Sequence, residues 1–374
     1  MVYISLFFLF IYALLFFIPL IKLRITKKNE APVCVKPDFG TTILVPARNE
    51  ASTILHCLKS IKINDLLHLK TNVIVINDHS EDSTAEVVKK YMEENPEFPL
   101  TLISLSNNFH KKKGAITEGT ALAEGEYIIL RDADTTSGEN WLESIISHLQ
   151  KNKPDLLIAP VEMINGKKTI EKFQYIENIF LQQFTAGMAL LGSPVLCNGA
   201  NLAFKKVSFN AVNGYEGNLN RSSGDDIFLM EKFRRKKNFT IQYHKSIPGK
   251  VNIKPIPNFK ALLHQKLRWA GKFSFRTNVL ASTSVIITIV LNLILLGWLF
   301  ISFFNTKKFL FAIIFFLLKL FIDTVIISEL RFSGKFFREI SNLVWLEFLN
   351  LFYIPMVVLS SLFLKPYWKG RKVT

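Results

Sequence analysis

Long apolar stretches at both ends of the chain constrain its fold more than any other feature of the sequence. Residues Tyr3–Ile21 carry no charged side chain, and three further apolar runs lie near the other end: Val279–Phe304, Phe309–Ile327 and Leu343–Leu364. A helix of about 20 apolar residues spans the hydrocarbon core of a bilayer. We therefore predict a transmembrane helix at residues 1–23 and a C-terminal membrane region at 279–374, with two or three spanning segments and a basic tail.

Basic residues set the expected orientation of these segments. No basic residue precedes the first apolar run, which argues against a cleaved signal peptide. The run is followed at once by Lys22, Arg24, Lys27 and Lys28. The positive-inside rule then places the following chain in the cytoplasm of a multi-pass protein of the cell membrane. If all four runs span, the basic tail "KPYWKGRKVT" ends outside, against the same rule; a re-entrant or interfacial C-terminal run is the open alternative.

The segment between the membrane runs, residues 24–278, has the composition of a globular domain. Strand-like stretches such as "TILV", "NVIVI" and "EYIIL" alternate with helical patterns. This alternation predicts an α/β domain with a mainly parallel sheet covered by helices. The predicted strands end in "PARNE", "NDHSED" and "RDAD". Because ligands bind at the carboxyl ends of such strands, we expect these polar residues to form a binding site.

Two helices of this domain are predicted to be interfacial. From about Gly166, apolar residues recur at positions 170, 173, 176, 180 and 184, which is helical spacing. Such a stripe faces either a protein core or a membrane surface, and both alternatives remain open. The stretch "NFKALLHQKLRWAGKFSF" is a basic amphipathic helix that leads directly into the run Val279–Phe304.

The charge of the chain favours a membrane partner over nucleic acid. The chain has 46 basic and 30 acidic residues, a formal net charge of +16. A basic protein can bind nucleic acid or an anionic membrane surface. The basic residues cluster near the membrane edges and no nucleic-acid-binding motif is present, so we expect a membrane partner and no nucleic acid.

Two pairs of aspartates are candidates for chemistry. Asp132 and Asp134 follow a buried strand, and residues two apart on an extended backbone project to the same side. Two carboxylates there can hold a hard divalent cation, although a loop cap is the common alternative. Asp225 and Asp226 stand at a predicted helix start, where acids also satisfy the helix dipole. The functional interpretation is a general base.

Further candidates lie near the second strand and before a membrane run. Asp78 ends the second strand and could accept a hydrogen bond from a base or ribose, or cap a turn. Lys113 closes a basic run that would suit a diphosphate. Gln265, Arg268 and Trp269 form Q-x-x-R-W on one helix. Arginine can neutralise a phosphate leaving group, and tryptophan can face a sugar or anchor at a membrane interface.

The order of these motifs resembles the inverting, membrane-bound glycosyltransferases of family 2. That family, which includes cellulose and hyaluronan synthases and ceramide glucosyltransferases, shares a "D, D, D, Q-x-x-R-W" pattern. The resemblance covers about residues 40 to 275, and "TILVPARNEA" is similar to the family's opening nucleotide-binding strand. It implies a GT-A fold, which is a Rossmann-like α/β domain with a mainly parallel sheet, here in the cytoplasm and joined to transmembrane helices.

The resemblance also implies roles for individual residues. A nucleotide pocket would be lined by Pro46, Ala47, Arg48, Glu50 and Asp78, with Lys113 near the nucleotide. Mg²⁺ or Mn²⁺ would be held by Asp132 and Asp134, with Asp132 also facing the donor. Asp226 would be the catalytic base beside Asp225, and Gln265, Arg268 and Trp269 would close over the donor diphosphate and acceptor. "KKKGAITEG" matches the family's Asn-x-Gly-Lys segment only loosely, and Asp225 stands where the family often has Glu.

The expected activity is transfer of a sugar from a nucleotide-sugar, with uridine diphosphate as carrier, to a lipid in the membrane. Inversion of an α-linked donor would give a β-linked glycolipid. Polymerising members of the family have more spans than this chain offers, so a processive polysaccharide synthase is the second interpretation. A third is an inactive membrane scaffold that binds a nucleotide-sugar. Lys319 and Asp323, four apart within an apolar run, could pair inside the membrane, and their role is left open.

Overall fold

The structure is a computed structural model of the 374-residue chain. It describes residues 1–27, 36–106, 111–219, 224–270, 279–327, 336–364, 367–368 and 371–372. The chain divides into two compact units. One contains Thr26–Ile164, Gly192–Lys254 and Lys369–Thr374, and the other contains Met1–Ile25, Asn165–Leu191 and Pro255–Trp368.

The elements follow the alternation that the sequence predicts. The helices are α1 (Val2–Ile25), α2 (Ile54–Lys62), α3 (Thr84–Glu94), α4 (Lys111–Leu122), α5 (Trp141–Asn152), α6 (Thr169–Leu190), α7 (Lys206–Ala211), α8 (Asp225–Arg235), α9 (Phe259–Ala270), α10 (Val279–Ser302), α11 (Thr306–Ile327) and α12 (Phe336–Phe363). The strands are β1 (Thr41–Ala47), β2 (Thr71–Asn77), β3 (Leu100–Ser104), β4 (Tyr127–Leu130), β5 (Thr136–Ser137), β6 (Leu156–Ile158), β7 (Val161–Met163), β8 (Leu202–Lys205), β9 (Ile241–Tyr243), β10 (Val251–Ile253), β11 (Tyr367–Trp368) and β12 (Arg371–Lys372).

A seven-stranded sheet in the order β3-β2-β1-β4-β8-β6-β9 organises the first unit. β1 pairs in parallel with β2 on one side and β4 on the other, so that Ile43 lies between Val73 and Ile129. All three side chains are buried, as expected for central strands covered by helices on both faces. The prediction of a mainly parallel sheet is therefore confirmed.

One strand of this sheet runs in the other direction. β8 is antiparallel to both of its neighbours, β4 and β6. The apolar pattern of "NLAFKK" marks a strand but carries no information on its direction, because direction depends on where the preceding chain re-enters the sheet. A smaller three-stranded sheet in the order β5-β10-β7 adds to the same unit.

The close approach of the α4–β4 connection to β1 depends on a glycine. Gly125 follows α4 and precedes β4, and a Cβ atom built on it would lie 2.6 Å from the backbone nitrogen of Thr42. Real Cβ atoms do not approach so closely, so only glycine fits here without a shift of β1. This contact fixes where β4 enters the sheet, and with it the position of the polar loop that follows β4.

Among its described residues, the second unit contains four helices long and apolar enough to cross a membrane. The candidate spans are Val2–Ile25, Val279–Ser302, Lys307–Ile327 and Leu343–Ser361. α6 belongs to this unit and packs on α1, with the Phe16 ring centroid 4.8 Å from that of Phe180 and 5.0 Å from that of Phe184. The helical stripe predicted from Gly166 thus contacts another helix. The last five residues of the predicted basic helix, 271–275, lie outside the described residues.

Buried charges connect three of the membrane helices. Lys319 Nζ lies 2.7 Å from Asp323 Oδ2 and 2.5 Å from Glu347 Oε2. The hydroxyl of Tyr12 on α1 donates to Asp323 Oδ1 over 2.7 Å. None of the four residues is more than 5% exposed. The pairing of Lys319 with Asp323, left open above, is therefore present and includes a third charged residue from α12.

Candidate active site

Three of the predicted acidic residues lie around one lysine. Asp132 lies two residues after the end of β4, and Asp225 is the first residue of α8. The ammonium of Lys112 lies 2.5 Å from Asp132 Oδ1 and 3.2 Å from Asp225 Oδ2. Asp226 is the next residue of α8, and its Oδ1 accepts a hydrogen bond of 2.8 Å from the backbone nitrogen of Ile227. The structure thus brings residues of the D-x-D and D-D motifs together near the carboxyl end of β4.

Lys112 stays charged at this position. Burial alone would lower the pKa of its ammonium, but the negative charges of Asp132 and Asp225 and the hydrogen bond to Asp132 outweigh that effect, and the pKa lies above its ordinary value. A fixed positive charge therefore stands between the carboxylates when no other cation is bound. It removes the repulsion that two neighbouring aspartates would otherwise experience.

Lys113, which the resemblance places near the nucleotide, has different partners from Lys112, and its role at the nucleotide stays a prediction. Its side chain is buried, its Nζ donates to the backbone oxygen of Asn218 over 2.9 Å, and it lies 4.5 Å from the ring centroid of Phe228. Adjacent residues of a helix project about 100° apart, so Lys112 and Lys113 cannot share one target. Since "KKKGAITEG" contains three consecutive lysines, the sequence alone did not reveal which of them reaches the aspartates.

The ends of β1 and β2 form the second part of the site. Arg48 is 5% exposed, and its Nη1 donates to the backbone oxygens of Asp78, over 2.9 Å, and of His79. Its Nη2 contacts Glu81 Oε1 at 2.7 Å. The backbone nitrogen of Asp78 in turn donates to Ala47, 2.8 Å away. Arg48 therefore connects the two strand ends that were predicted to line a nucleotide pocket.

The loops after these strands adopt unusual backbone conformations. Asn49 has φ of 51° and His79 has φ of 52°, both in the left-handed region that non-glycine residues rarely occupy. Each directly follows a predicted pocket residue. Glu50 is held by its neighbours: its backbone nitrogen donates to Thr84 Oγ1 over 2.8 Å, and its carboxylate accepts from Thr53 Oγ1 over 2.6 Å. Strained conformations of this kind concentrate at functional sites.

Two residues near the aspartates were not identified from the sequence. Arg131 is fully buried behind Asp132; its Nε donates to Thr135 Oγ1 over 2.8 Å, and its guanidinium lies 4.4 Å from the Trp141 ring centroid. Burial lowers the pKa of Arg131 below its usual value. A Cβ atom at Gly199 would lie 3.0 Å from Asp225 Oδ2 and 3.1 Å from Lys112 Nζ. In the sequence, Arg131 was marked only as a charged residue directly after a buried strand. Nothing in the sequence marked Gly199.

The carboxylates fit a divalent cation only in part. Asp132 is half-buried, and its carboxylate contacts the Lys112 ammonium. Asp134 is exposed. Among the residues that the structure describes, no group of three or more His, Cys, Asp or Glu side chains is arranged to hold a metal ion. Mg²⁺ and Mn²⁺ sites with few protein ligands are completed by substrate phosphates and water. The donor set therefore suits an ion that binds together with a diphosphate.

The Q-x-x-R-W motif lies on α9, in the unit that contains the membrane helices. Gln265, Arg268 and Trp269 are each half-buried, whereas Lys266 and Leu267 between them are buried. Residues three and four apart share a helix face, which puts the three motif residues side by side. The prediction that they act on the donor and acceptor stays a prediction.

Comparison with known proteins identifies the family. Residues 42–211 match the profile "Glycosyl transferase family 2", and residues 127–325, more than half of the chain, match "Glycosyl transferase family group 2". A dolichyl-phosphate β-glucosyltransferase of Dictyostelium discoideum is 28% identical over 166 residues, 42% of this chain and 50% of that protein. The hyaluronan synthase of Pasteurella multocida is 23% identical over 264 residues, 60% of this chain and 27% of that protein. The chain thus spans half or less of the length of these two relatives.

A solved structure supports the fold over the whole chain. The mannosyltransferase PcManGT of Pyrobaculum calidifontis, solved with GDP-Man and Mn²⁺, superposes with a TM-score of 0.59 at 15% sequence identity. The match covers 96% of this chain and 98% of that protein. The likeness shows a GT-A-like α/β domain accompanied by long apolar helices. Together with the two profile matches, it shows that the chain belongs to glycosyltransferase family 2 and is an enzyme of that family.

Proposed function

We propose that this enzyme transfers one sugar from a uridine-diphosphate sugar to a hydroxyl of a membrane lipid, with inversion, to give a β-linked glycolipid. The observation that carries the proposal is the grouping of Asp132, Asp225 and Asp226 around Lys112 at the carboxyl end of β4. It places a cationic centre for a diphosphate beside a carboxylate that can accept a proton. Four candidate membrane spans on the same chain support an acceptor at the bilayer.

The chemistry assigned to these residues is a single displacement. The acceptor oxygen attacks the anomeric carbon as the bond between that carbon and the diphosphate oxygen breaks, and the diphosphate leaves with the electron pair. Asp226 takes the proton of the acceptor hydroxyl. Lys112 offsets the charge of the leaving diphosphate. A Mg²⁺ or Mn²⁺ ion held by Asp132 and Asp134 would supply Lewis-acid stabilisation of the same charge.

The donor pocket is assigned to the ends of β1 and β2. Pro46, Ala47 and Asp78 stand at adjacent ends of paired strands, and Arg48 bridges them. Glu50 begins the loop into α2, where hydrogen bonds to Thr84 and Thr53 hold it. A rigid polar rim of this kind can bind a base and ribose without reorganising. PcManGT, with the same fold, was solved with a nucleotide-sugar and Mn²⁺, which supports a donor and an ion of these classes.

The relatives include both acceptor types, so a polysaccharide synthase is the second candidate. The glucosyltransferase of Dictyostelium discoideum is named for a lipid-linked acceptor and the Pasteurella multocida enzyme for a polymer. We favour the lipid because the four candidate spans among the described residues would anchor the enzyme at the bilayer, where a lipid hydroxyl is available. The basic residues Lys22, Arg24 and Lys27, at and just after the end of α1, support a catalytic domain on the cytoplasmic side.

A donor panel tests the proposal. Membranes containing the full chain are incubated with radiolabelled UDP-glucose, UDP-N-acetylglucosamine, UDP-galactose and GDP-mannose, with MnCl₂, MgCl₂ or EDTA. We expect divalent-dependent label that extracts into chloroform–methanol and is released by a β-glycosidase. Label that stays with material of high molecular mass would establish the polysaccharide synthase instead. Label in an α linkage would exclude the inverting mechanism.

A second experiment tests the assigned base. Asp226→Asn keeps the size and hydrogen bonding of the side chain but removes its basicity, so transfer should fall by about 10²–10⁴-fold while donor binding is retained. The matched control is Asp38→Asn at an exposed position of the same unit, which should leave transfer unchanged. Donor binding is measured by equilibrium dialysis with labelled UDP. Retention of full transfer by Asp226→Asn would place the base elsewhere.

A further inference from the structure

A buried lysine lies inside the Q-x-x-R-W motif, at a position that the motif does not specify. Lys266 is 8% exposed, while Gln265, Arg268 and Trp269 on the same two turns of α9 are half-buried. Removing an ammonium from water costs several kcal/mol unless it is paired and hydrogen-bonded. A lysine at this place therefore needs specific partners.

Both partners of Lys266 are present in the structure. Its Nζ lies 2.5 Å from Glu177 Oε2 on α6 and 4.2 Å from the centroid of the Trp269 ring. Lys266 and Trp269 are three residues apart on α9, so they share a helix face. The ammonium is therefore held between a carboxylate on one helix and an aromatic face on another. A cation over an indole is attracted by the negative face of the ring.

Glu177 is itself on a fixed part of the molecule. One turn before it on α6, the side-chain amide of Gln174 donates to the backbone oxygen of Ile256 and accepts from the backbone nitrogen of the same residue, both over 2.9 Å. Ile256 precedes α9 by three residues, so this pair of hydrogen bonds holds the start of α9 against α6. The ion pair between Lys266 and Glu177 lies further along the same two helices. Together the two contacts fix the rotation of α9 relative to α6.

We propose that Lys266, anchored by Glu177, is a positioning residue that holds the Trp269 ring in the orientation needed to contact the substrate. The inference rests on the proposed function in one respect, the assignment of Trp269 to substrate contact. The ammonium fixes one face of the indole and leaves the rest of the ring accessible, because Trp269 remains half-buried. Loss of the ammonium would release the ring to other rotamers without removing it. Small displacements of a substrate-positioning group lower turnover strongly.

A double-mutant cycle tests this inference through transfer. Lys266→Met keeps the length of the side chain and removes the charge, and Trp269→Phe keeps an aromatic ring. With the donor that the wild-type membranes use, we expect Lys266→Met to lower kcat by about tenfold with little change in the donor KM. In the Trp269→Phe background the same change should have less than about twofold effect, because residues that act through one another are not additive. Lys266→Arg, which preserves the charge, should restore transfer.

A spectroscopic readout tests the same inference without transfer. The chain has five tryptophans, and the difference in emission between wild type and Trp269→Phe isolates Trp269. Lys266→Met and Glu177→Gln should each shift this difference spectrum and increase its quenching by acrylamide. Lys260→Met is the matched control, because Lys260 is on the same helix and exposed. It should change neither the spectrum nor transfer.

The possible results separate the two claims. If Trp269→Phe and Trp269→Ala transfer normally while the difference spectrum responds to Lys266→Met, Lys266 positions the ring and the assigned role of Trp269 is wrong. If the difference spectrum does not respond, the inference fails whatever the activity. An equal loss of transfer in both backgrounds, accompanied by reduced recovery in size-exclusion chromatography, would make Lys266 a structural residue and overturn the inference. Lys266→Gln replaces Lys266→Met if the latter does not accumulate in membranes.

Discussion

Replacing Lys319 should destabilise the membrane unit more than any substitution of an exposed lysine. The three charged side chains of this cluster are Lys319, Asp323 and Glu347, of which none is more than 5% exposed. Lys319→Met keeps the side-chain length and removes the only positive charge of the three. Two carboxylates would then face each other among apolar helices without a counter-ion.

The magnitude follows from the burial and the two short contacts. Breaking a buried ion pair by removing one partner costs about 3–5 kcal/mol, because the remaining charge stays buried and unpaired. Lys319 Nζ serves two carboxylates, at 2.7 Å and 2.5 Å, so the upper part of that range applies. A loss of about 4–5 kcal/mol, at about 2–3 °C per kcal/mol, should lower the melting temperature by about 8–15 °C.

The assay is thermal unfolding of the full chain in detergent, followed by fluorescence-detected size-exclusion chromatography. The matched control is Lys308→Met, on the same helix and exposed, which should shift the melting temperature by less than about 2 °C, as surface substitutions usually do. A triple variant, Lys319→Met with Asp323→Asn and Glu347→Gln, should recover most of the loss, since uncharged groups carry no unpaired charge. A single variant as stable as wild type, or a triple variant as unstable as the single, would refute the reasoning.

Three further predictions concern the sheet-containing unit. Burial, together with the neighbouring His148, lowers the pKa of His244 to about 3, so this side chain is neutral in the folded state. Its contribution to the free energy of unfolding should be complete above the pKa of histidine in the unfolded chain and fall by about 2 kcal/mol between pH 7.5 and 5. Thermal unfolding of wild type and of His244→Gln measures this, and the variant should lose less stability over the same pH range. Gly125→Ala should cost about 1–3 kcal/mol by pressing on β1, whereas Gly138→Ala, with open space around its Cβ, should be neutral in the same assay. Lys112→Met should raise the affinity for Mn²⁺ without donor by at least about tenfold, measured by electron paramagnetic resonance, because the Lys112 ammonium competes with the ion for the Asp132 carboxylate; an unchanged affinity would show that the ion binds elsewhere.

The fold was largely accessible from the sequence because its signals are local. Each strand of the central sheet is a short aliphatic run with a polar end, and each membrane helix is a long apolar run. The type and the order of these secondary-structure elements therefore follow from the periodicity and length of the apolar runs. The direction of β8 was not accessible, because it depends on the path of the chain outside the sheet. The grouping of α6 and α9 with the membrane helices was equally hidden, since an amphipathic stripe does not say what covers it.

The site was only partly accessible, because side-chain direction is a tertiary property. The sequence identified Asp132, Asp225 and Asp226 as carboxylates at strand and helix ends, and the resemblance to family 2 implied that they share one site. The sequence did not indicate which of three consecutive lysines contacts the aspartates. The rotation of α4 about its axis directs Lys112 towards Asp132 and Lys113 towards Asn218.

By itself, then, the sequence determined the α/β alternation, the apolar membrane runs and the order of the acidic and Q-x-x-R-W motifs. Each of these features depends only on residues that are close together in the sequence. Only the tertiary structure decided which distant charges pair: Lys112 with Asp132 and Asp225, Lys266 with Glu177, and Lys319 with Glu347. The physical reason is that a buried charge must find its partner across space, and residues 89 or 28 positions apart, as in the last two pairs, carry no local signal of the contact.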